Sequence, residues 1–139
     1  MKFLLDTNAV SEPLQQRPDP AYLRWINAPD TDDLALSVLT LGELRKGAGL
    51  LGDGARRSRI EAWLSDVIVQ FHGRVLDVDL SVANAWAEIA VRHRRQGRVV
   101  GAVDELLAAT ALVHDLTLVT RNLRHFGDSG CKLICPWSV

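Results

Sequence analysis

Residues 2–8 read K-F-L-L-D-T-N, an apolar run that turns abruptly polar. Phe3, Leu4 and Leu5 form a short apolar run, and the polar triplet Asp6, Thr7, Asn8 follows at once. So short and uniform a run predicts a buried strand, because a parallel strand is covered on both faces and needs no alternation. Asp6 then stands at the carboxyl end of that strand. In open parallel α/β sheets this edge is where ligands bind, so a carboxylate there is a candidate site residue.

Outward from this stretch, strand and helix patterns alternate. Residues 34–38 (L-A-L-S-V), 74–78 (R-V-L-D-V) and 116–120 (L-T-L-V-T) predict further strands, and residues 132–134 a last, short one. Asp19 before Pro20 is a helix-start signal, predicting a helix to about residue 27. Thr40 opens T-L-G-E, a match to the capping box that would put Glu43 in the first turn of a helix reaching about residue 51, where Gly52, Asp53 and Gly54 break it. Over residues 55–71, Ile60, Trp63, Leu64, Val67, Ile68 and Phe71 recur at three and four positions, an amphipathic helix whose other face carries Arg56, Arg57 and Arg59. Residues 81–96 predict another helix, with Val82, Trp86, Ile89 and Ala90 on its apolar side and Gly97 at its end. Asp104 opens a last, Ala- and Leu-rich helix (D-E-L-L-A-A-T-A-L-V-H) whose small residues allow close packing on a sheet. Strands alternating with helices predict an α/β domain with a mainly parallel central sheet. Residues 1–139 are expected to form a single domain, without linker or repeat.

Composition bounds the function. A hydrophobic share of 47% and a charged share of 24% are ordinary for a globular protein, and no apolar run approaches the roughly 18 residues of a membrane helix. The start of the chain has no basic region followed by a long apolar core, so a cytoplasmic location is expected. Net charge is −1, so any nucleic-acid binding must come from local asymmetry. Cys131 and Cys135 lie four residues apart in a predicted strand, about 13 Å at about 3.3 Å each, beyond the roughly 7 Å limit for a disulfide. With neither CxxC nor a paired His motif beside them, they are expected to be free thiols rather than zinc ligands.

Asp6, Glu43, Asp104 and Asn122 all fall at predicted strand ends or helix starts, which meet at one edge of a parallel sheet. Each has an ordinary structural reading: a turn cap for Asp6, a capping-box glutamate, favourable charge at a helix start for Asp104, an N-cap for Asn122. Together they are harder to dismiss, because carboxylates focused on one edge repel one another and need a cation. An oxygen-rich donor set without His or Cys suits Mg²⁺ or Mn²⁺. Such an ion, keeping some of its waters, suits phosphodiester hydrolysis.

These residues also carry a resemblance. L-L-D-T-N-A-V-S-E (residues 4–12), L-S-V-L-T-L-G-E-L-R-K-G (36–47), D-E-L-L-A-A-T-A-L-V-H-D-L-T-L-V-T-R-N (104–122) and the closing Pro136-Trp137 resemble PIN-domain proteins, above all the VapC and FitB-like toxins of bacterial toxin-antitoxin pairs. The resemblance spans nearly the whole chain. It implies a three-layer α/β/α domain, a Mg²⁺- or Mn²⁺-dependent endoribonuclease acting on RNA, a homodimer, and inhibition by a cognate antitoxin. Asp6, Glu43 and Asp104 match the family's acidic metal ligands. Asn122 falls where many PIN domains have a fourth acid, and His125 where related toxins often have Asp in T-R-N-x-x-D-F, a departure that favours one firmly held ion. Thr7, Asn8 and Thr120 match supporting polar positions, and Glu12 matches a position behind the site.

Other features are less specific. Arg92, His93, Arg94, Arg95 and Arg98 are the densest basic run, read either as a phosphate grip or as cations favoured at a helix C-terminus. Arg45, Lys46 and Arg121 are nearer the expected site in sequence and are candidates to contact RNA or an antitoxin carboxylate. Trp25, Trp63 and Trp86 read as core or dimer contacts, and His72, His93 and His114 have no partner spacing. Three competing functions remain in view. A haloacid dehalogenase-type phosphatase needs D-x-D, and position 8 is Asn. A phospho-receiver needs an acidic pair after the first strand, which L-D-T-N does not supply. A degenerate PIN domain that only binds partners is motivated by Asn122 and His125.

Overall fold

The computed structural model describes residues 1–138. Its sheet is built from β1 (Phe3–Leu5), β2 (Leu34–Ser37), β3 (Val75–Leu76), β4 (Thr117–Val119) and β5 (Lys132–Ile134), all parallel, in the spatial order β3-β2-β1-β4-β5. The helices are α1 (Thr7–Ser11), α2 (Pro20–Ile26), α3 (Val38–Leu50), α4 (Ala55–Gln70), α5 (Leu80–Arg95), α6 (Ala102–Val113) and α7 (Leu123–Phe126). The core lies on both faces of the sheet. Leu4, Ala35 and Leu118 pack with Val82 and Ile89 of α5 and with Leu107, Ala108 and Ala111 of α6. Leu5, Leu34, Leu36 and Val119 face the other way, onto Tyr22 of α2, Val67 of α4, Phe71 and Trp137. Adjacent residues of β1 and β2 thus serve opposite layers, which is why these strands read as unbroken apolar runs. The predicted α/β/α architecture is observed.

Several boundaries differ from those expected. The T-L-G-E segment does not cap α3. Ser37 does, its hydroxyl accepting the Leu39 amide at 3.0 Å, while Thr40 is buried in the first turn and Glu43 lies a turn later. Gly101 caps α6, so Asp104 stands inside its first turn rather than opening it. The third strand is only two residues long. Ile68 is 38% exposed, so it lies off the apolar face of α4. Two short helices, α1 and α7, were not expected. The C-terminal segment is tied down by Asp19, whose carboxylate caps α2 at Tyr22 (3.0 Å) and also accepts the Ser138 amide and hydroxyl. Trp137 stacks on Tyr22 with ring centroids 4.5 Å apart. Cys131 and Cys135 are free, as expected, and burial pushes the Cys131 thiol up.

Candidate active site

From β1 the chain order runs outward through β2 to β3, and then the sheet is completed on the other side by β4 and β5. The order therefore reverses between β1 and β4, and the carboxyl end of that pair is the crevice where open α/β sheets bind ligands. Asp6 sits there. Its amide donates to the Val119 carbonyl at 3.1 Å, which pins it between the two strand ends, and its carboxylate caps α1 by accepting the Ala9 amide at 2.8 Å. The cap and the site position are therefore the same residue. Asp6 is only 7% exposed. Burial pushes its carboxyl above the ordinary aspartate range, the charges of Asp104 and Glu43 push the same way, and the Ala9 amide and Thr120 hydroxyl oppose them. Both other carboxylates are thus close enough to act on Asp6 electrostatically.

Each of those two is held by a neighbour. Thr7, one residue past Asp6, donates its hydroxyl to Glu43 at 2.5 Å, joining α1 to α3. With no capping role to account for it, Glu43 faces the site. Asp104 is half-buried and lies 2.9 Å from His125 Nδ1, whose ring in turn meets the Asn122 side-chain amide at 2.8 Å. Asn122 occupies the cap position of α7 but spends its side chain on His125 rather than on the helix. Thr120 is fully buried and accepts the Asn122 amide at 3.0 Å, so one hydroxyl steadies both Asp6 and the turn after β4. Asn8 and Arg121 line the groove outside.

In these rotamers, no three His, Cys, Asp or Glu side chains among the described residues stand close enough to hold one metal ion together. The chemistry of the donors nonetheless fits a hard divalent cation. They are oxygens only, one carboxylate is buried beside two others, and two of the three sit on local hydrogen bonds that a side-chain rotation releases.

Other sequence expectations are redistributed. Glu12 is buried behind the site, accepting the Asp19 amide at 3.0 Å. Tyr22, buried against the carbonyl of Ala9, has its phenol pushed up by burial and by the charges of Asp6 and Glu12. His93 does have a partner: its Nδ1 lies 2.7 Å from Glu105, both side chains being buried between α5 and α6. Within the basic run, Arg92 and Arg98 are committed to the residues around α7, Arg92 to the Asp128 carbonyl and Arg98 to the Asp128 carboxylate and the Arg124 carbonyl. Arg17, Arg56 and Arg59, which composition did not single out, line the groove with Arg121. Their signal was spacing: Arg56 and Arg59 lie three apart on one face of α4, while Arg57 is flanked at four residues by Asp53 and Glu61.

The chain is similar to known proteins over nearly its whole length. The family model for the PIN domain matches residues 3–128. A VapC ribonuclease of Sinorhizobium fredii is 36% identical over 136 residues, covering 97% of either chain. The toxin FitB of Neisseria gonorrhoeae is also 36% identical over 136 residues, covering 97% of this chain and 98% of its own. The crystal structure of FitAcB from N. gonorrhoeae superposes with a TM-score of 0.92 at 34% identity, covering 99% of each chain.

Proposed function

The chain belongs to the PIN-domain family, and on that premise we propose that it is an endoribonuclease toxin. In this reading it hydrolyses phosphodiester bonds of RNA with a divalent cation, Mg²⁺ or Mn²⁺, is neutralised by a cognate antitoxin, and works as a homodimer. The observation that carries the reading is Asp6: a carboxylate buried at the sheet's switch point, its ionisation opposed by Asp104 and Glu43, is costly unless a cation is to be held there. Asp6, Glu43 and Asp104 would hold the ion. When bound, it orients the phosphodiester and lowers the pKa of the attacking water.

The remaining work falls to the chain's own groups. Thr7 keeps Glu43 turned towards Asp6, and His125 holds the Asp104 carboxylate. Thr120 and the Ala9 amide fix Asp6, so its oxygens stay oriented without a lysine or arginine to neutralise them. Asp6 is the one carboxylate whose hydrogen bonds hold it ready, while Glu43 and Asp104 would turn off Thr7 and His125 to reach the ion.

The test is RNA cleavage by the purified protein. Cleavage with Mn²⁺, arrest by excess chelator, and loss of activity in a folded Asp104→Asn variant are expected; an Asp104→Asn protein that cuts at the normal rate overturns the assignment. A second reading, a PIN domain that binds partners without cutting, is favoured by two observations. His125 and Asn122 stand where further acids are expected, and the carboxylates do not converge in these rotamers. It predicts no cleavage and no saturable Mn²⁺ binding at millimolar metal.

A further inference from the structure

The site opens into a groove of about 1260 Å³, lined by Thr7 and Glu43 of the site and by Arg17, Arg56, Arg59 and Arg121. Its volume exceeds the roughly 300–1,000 Å³ of pockets that enclose small molecules, so it suits a polymer. The arginines come from unrelated places: the loop before α2, the first turns of α4, and the residue after Thr120. All four are exposed, and among the described residues none lies within salt-bridge reach of a carboxylate. Arg57, in the same turn of α4, shows the alternative: it pairs with Glu61 at 2.6 Å and Asp53 at 3.3 Å. The acids in the groove wall do not balance the arginines, since Glu12 and Glu43 are two against four and neither pairs with any of them. A chain of net charge −1 therefore concentrates unpaired guanidinium groups in one channel whose wall includes Thr7, Asn8 and Glu43 of the site.

We propose that this groove is the track along which the RNA strand reaches the carboxylates, with Arg17, Arg56, Arg59 and Arg121 gripping its phosphates. The inference rests on the ribonuclease reading of the site. A guanidinium fork matches two phosphate oxygens at once, and such contacts place a strand in register without reading its bases. RNA is favoured over an acidic protein segment because Glu43, one of the carboxylates that must meet a phosphodiester, lies in the wall of the same channel.

The experiment measures binding of a short single-stranded RNA to the full chain in chelator, where cleavage is off, across a salt series. Each phosphate contact to a single strand contributes about 0.7 to the slope of log affinity against log salt. The double variant Arg56→Ala/Arg59→Ala should therefore lose about 1.4 from that slope and bind on the order of tenfold more weakly at about 0.15 M salt. Arg57→Ala should match the wild type, and Mn²⁺ binding should be unchanged in both variants. A double variant with wild-type affinity and slope overturns the proposal. So does one that keeps its RNA affinity while losing affinity for polyglutamate, which would assign the groove to an acidic protein partner. The two layers of the account fail separately: absence of RNA cleavage by the wild-type protein sinks the ribonuclease reading, whereas cleavage with an unchanged KM in the double variant sinks only the groove.

Discussion

Two clusters of charged side chains flank the sheet edge, and they are resolved in opposite ways. Towards α5, α6 and α7, the charged groups are largely paired: His93 with Glu105, Arg98 with Asp128 and the Arg124 carbonyl, Arg92 with the Asp128 carbonyl. Towards α1, α3 and α4, Asp6 is buried among like charges and four arginines face an open groove unpaired. The first cluster completes the fold; the second leaves charge to be satisfied from outside. What separates them is the neighbours each side chain meets. The densest basic run in the sequence is partly used up in structure, and a sparse set of arginines is available.

Substitutions can break or sharpen this contrast. The largest effect is expected from Asp6→Asn, which should lower RNA cleavage by about 1,000-fold, the upper range for removing one electrostatic group from an active site. Stability should not suffer, because Asn still accepts the Ala9 amide as an N-cap. The pH dependence follows from the same residue. Its folded pKa is raised above the 3.8 of an ordinary aspartate, so the stability it contributes is present below that value and is lost as pH rises through the raised one. Measured without divalent metal, the wild type should melt at or below Asp6→Asn at neutral pH, with the gap closing in acid. A wild type that becomes the more stable protein as pH rises would contradict the burial argument.

The opposite pattern is expected from His93→Ala, which strands Glu105 in the interior. It should cost about 3 kcal/mol in a urea titration, while the protein that remains folded keeps its cleavage rate. Next in size is His125→Asp. An added carboxylate about 4 Å from a divalent cation in a water-like medium is worth about 2 kcal/mol, so Mn²⁺ affinity should rise about thirtyfold. Unchanged affinity would place His125 outside the ion's field. Smallest is Arg98→Ala, whose half-exposed ion pair should contribute about 0.5 to 1 kcal/mol to stability, with RNA affinity unaffected. An RNA-binding loss larger than that of Arg56→Ala/Arg59→Ala would invert the comparison.

Much of the fold was legible because it rests on local pattern. Leu4 and Leu5 are apolar since each serves a different layer, and L-A-L-S repeats that logic in β2. Asp19-Pro20 capped a helix as read. Where reading failed, a local signal was overruled by tertiary placement. T-L-G-E fits a capping box, yet β2 ends early enough for Ser37 to take the cap, which draws Thr40 into the interior and frees Glu43 for Thr7. The five residues of α1 are too few to show periodicity, so the sequence offers Asp6 as a turn cap but does not show the helix it caps. The groove needed three dimensions. Asp53, Arg57 and Glu61 announce their pairing by four-residue spacing, but nothing local brings Arg17 and Arg121 beside Arg56 and Arg59.

Ionising Asp6 beside Glu43 and Asp104 is costly, and the proposed cation would repay that cost. Calorimetric titration of Mn²⁺ into the wild-type chain and Asp6→Asn measures this most directly. Saturable binding by the wild type that disappears in the variant is expected; equal heats from both proteins, or no saturable binding by the wild type at millimolar metal, would contradict a cation held at Asp6.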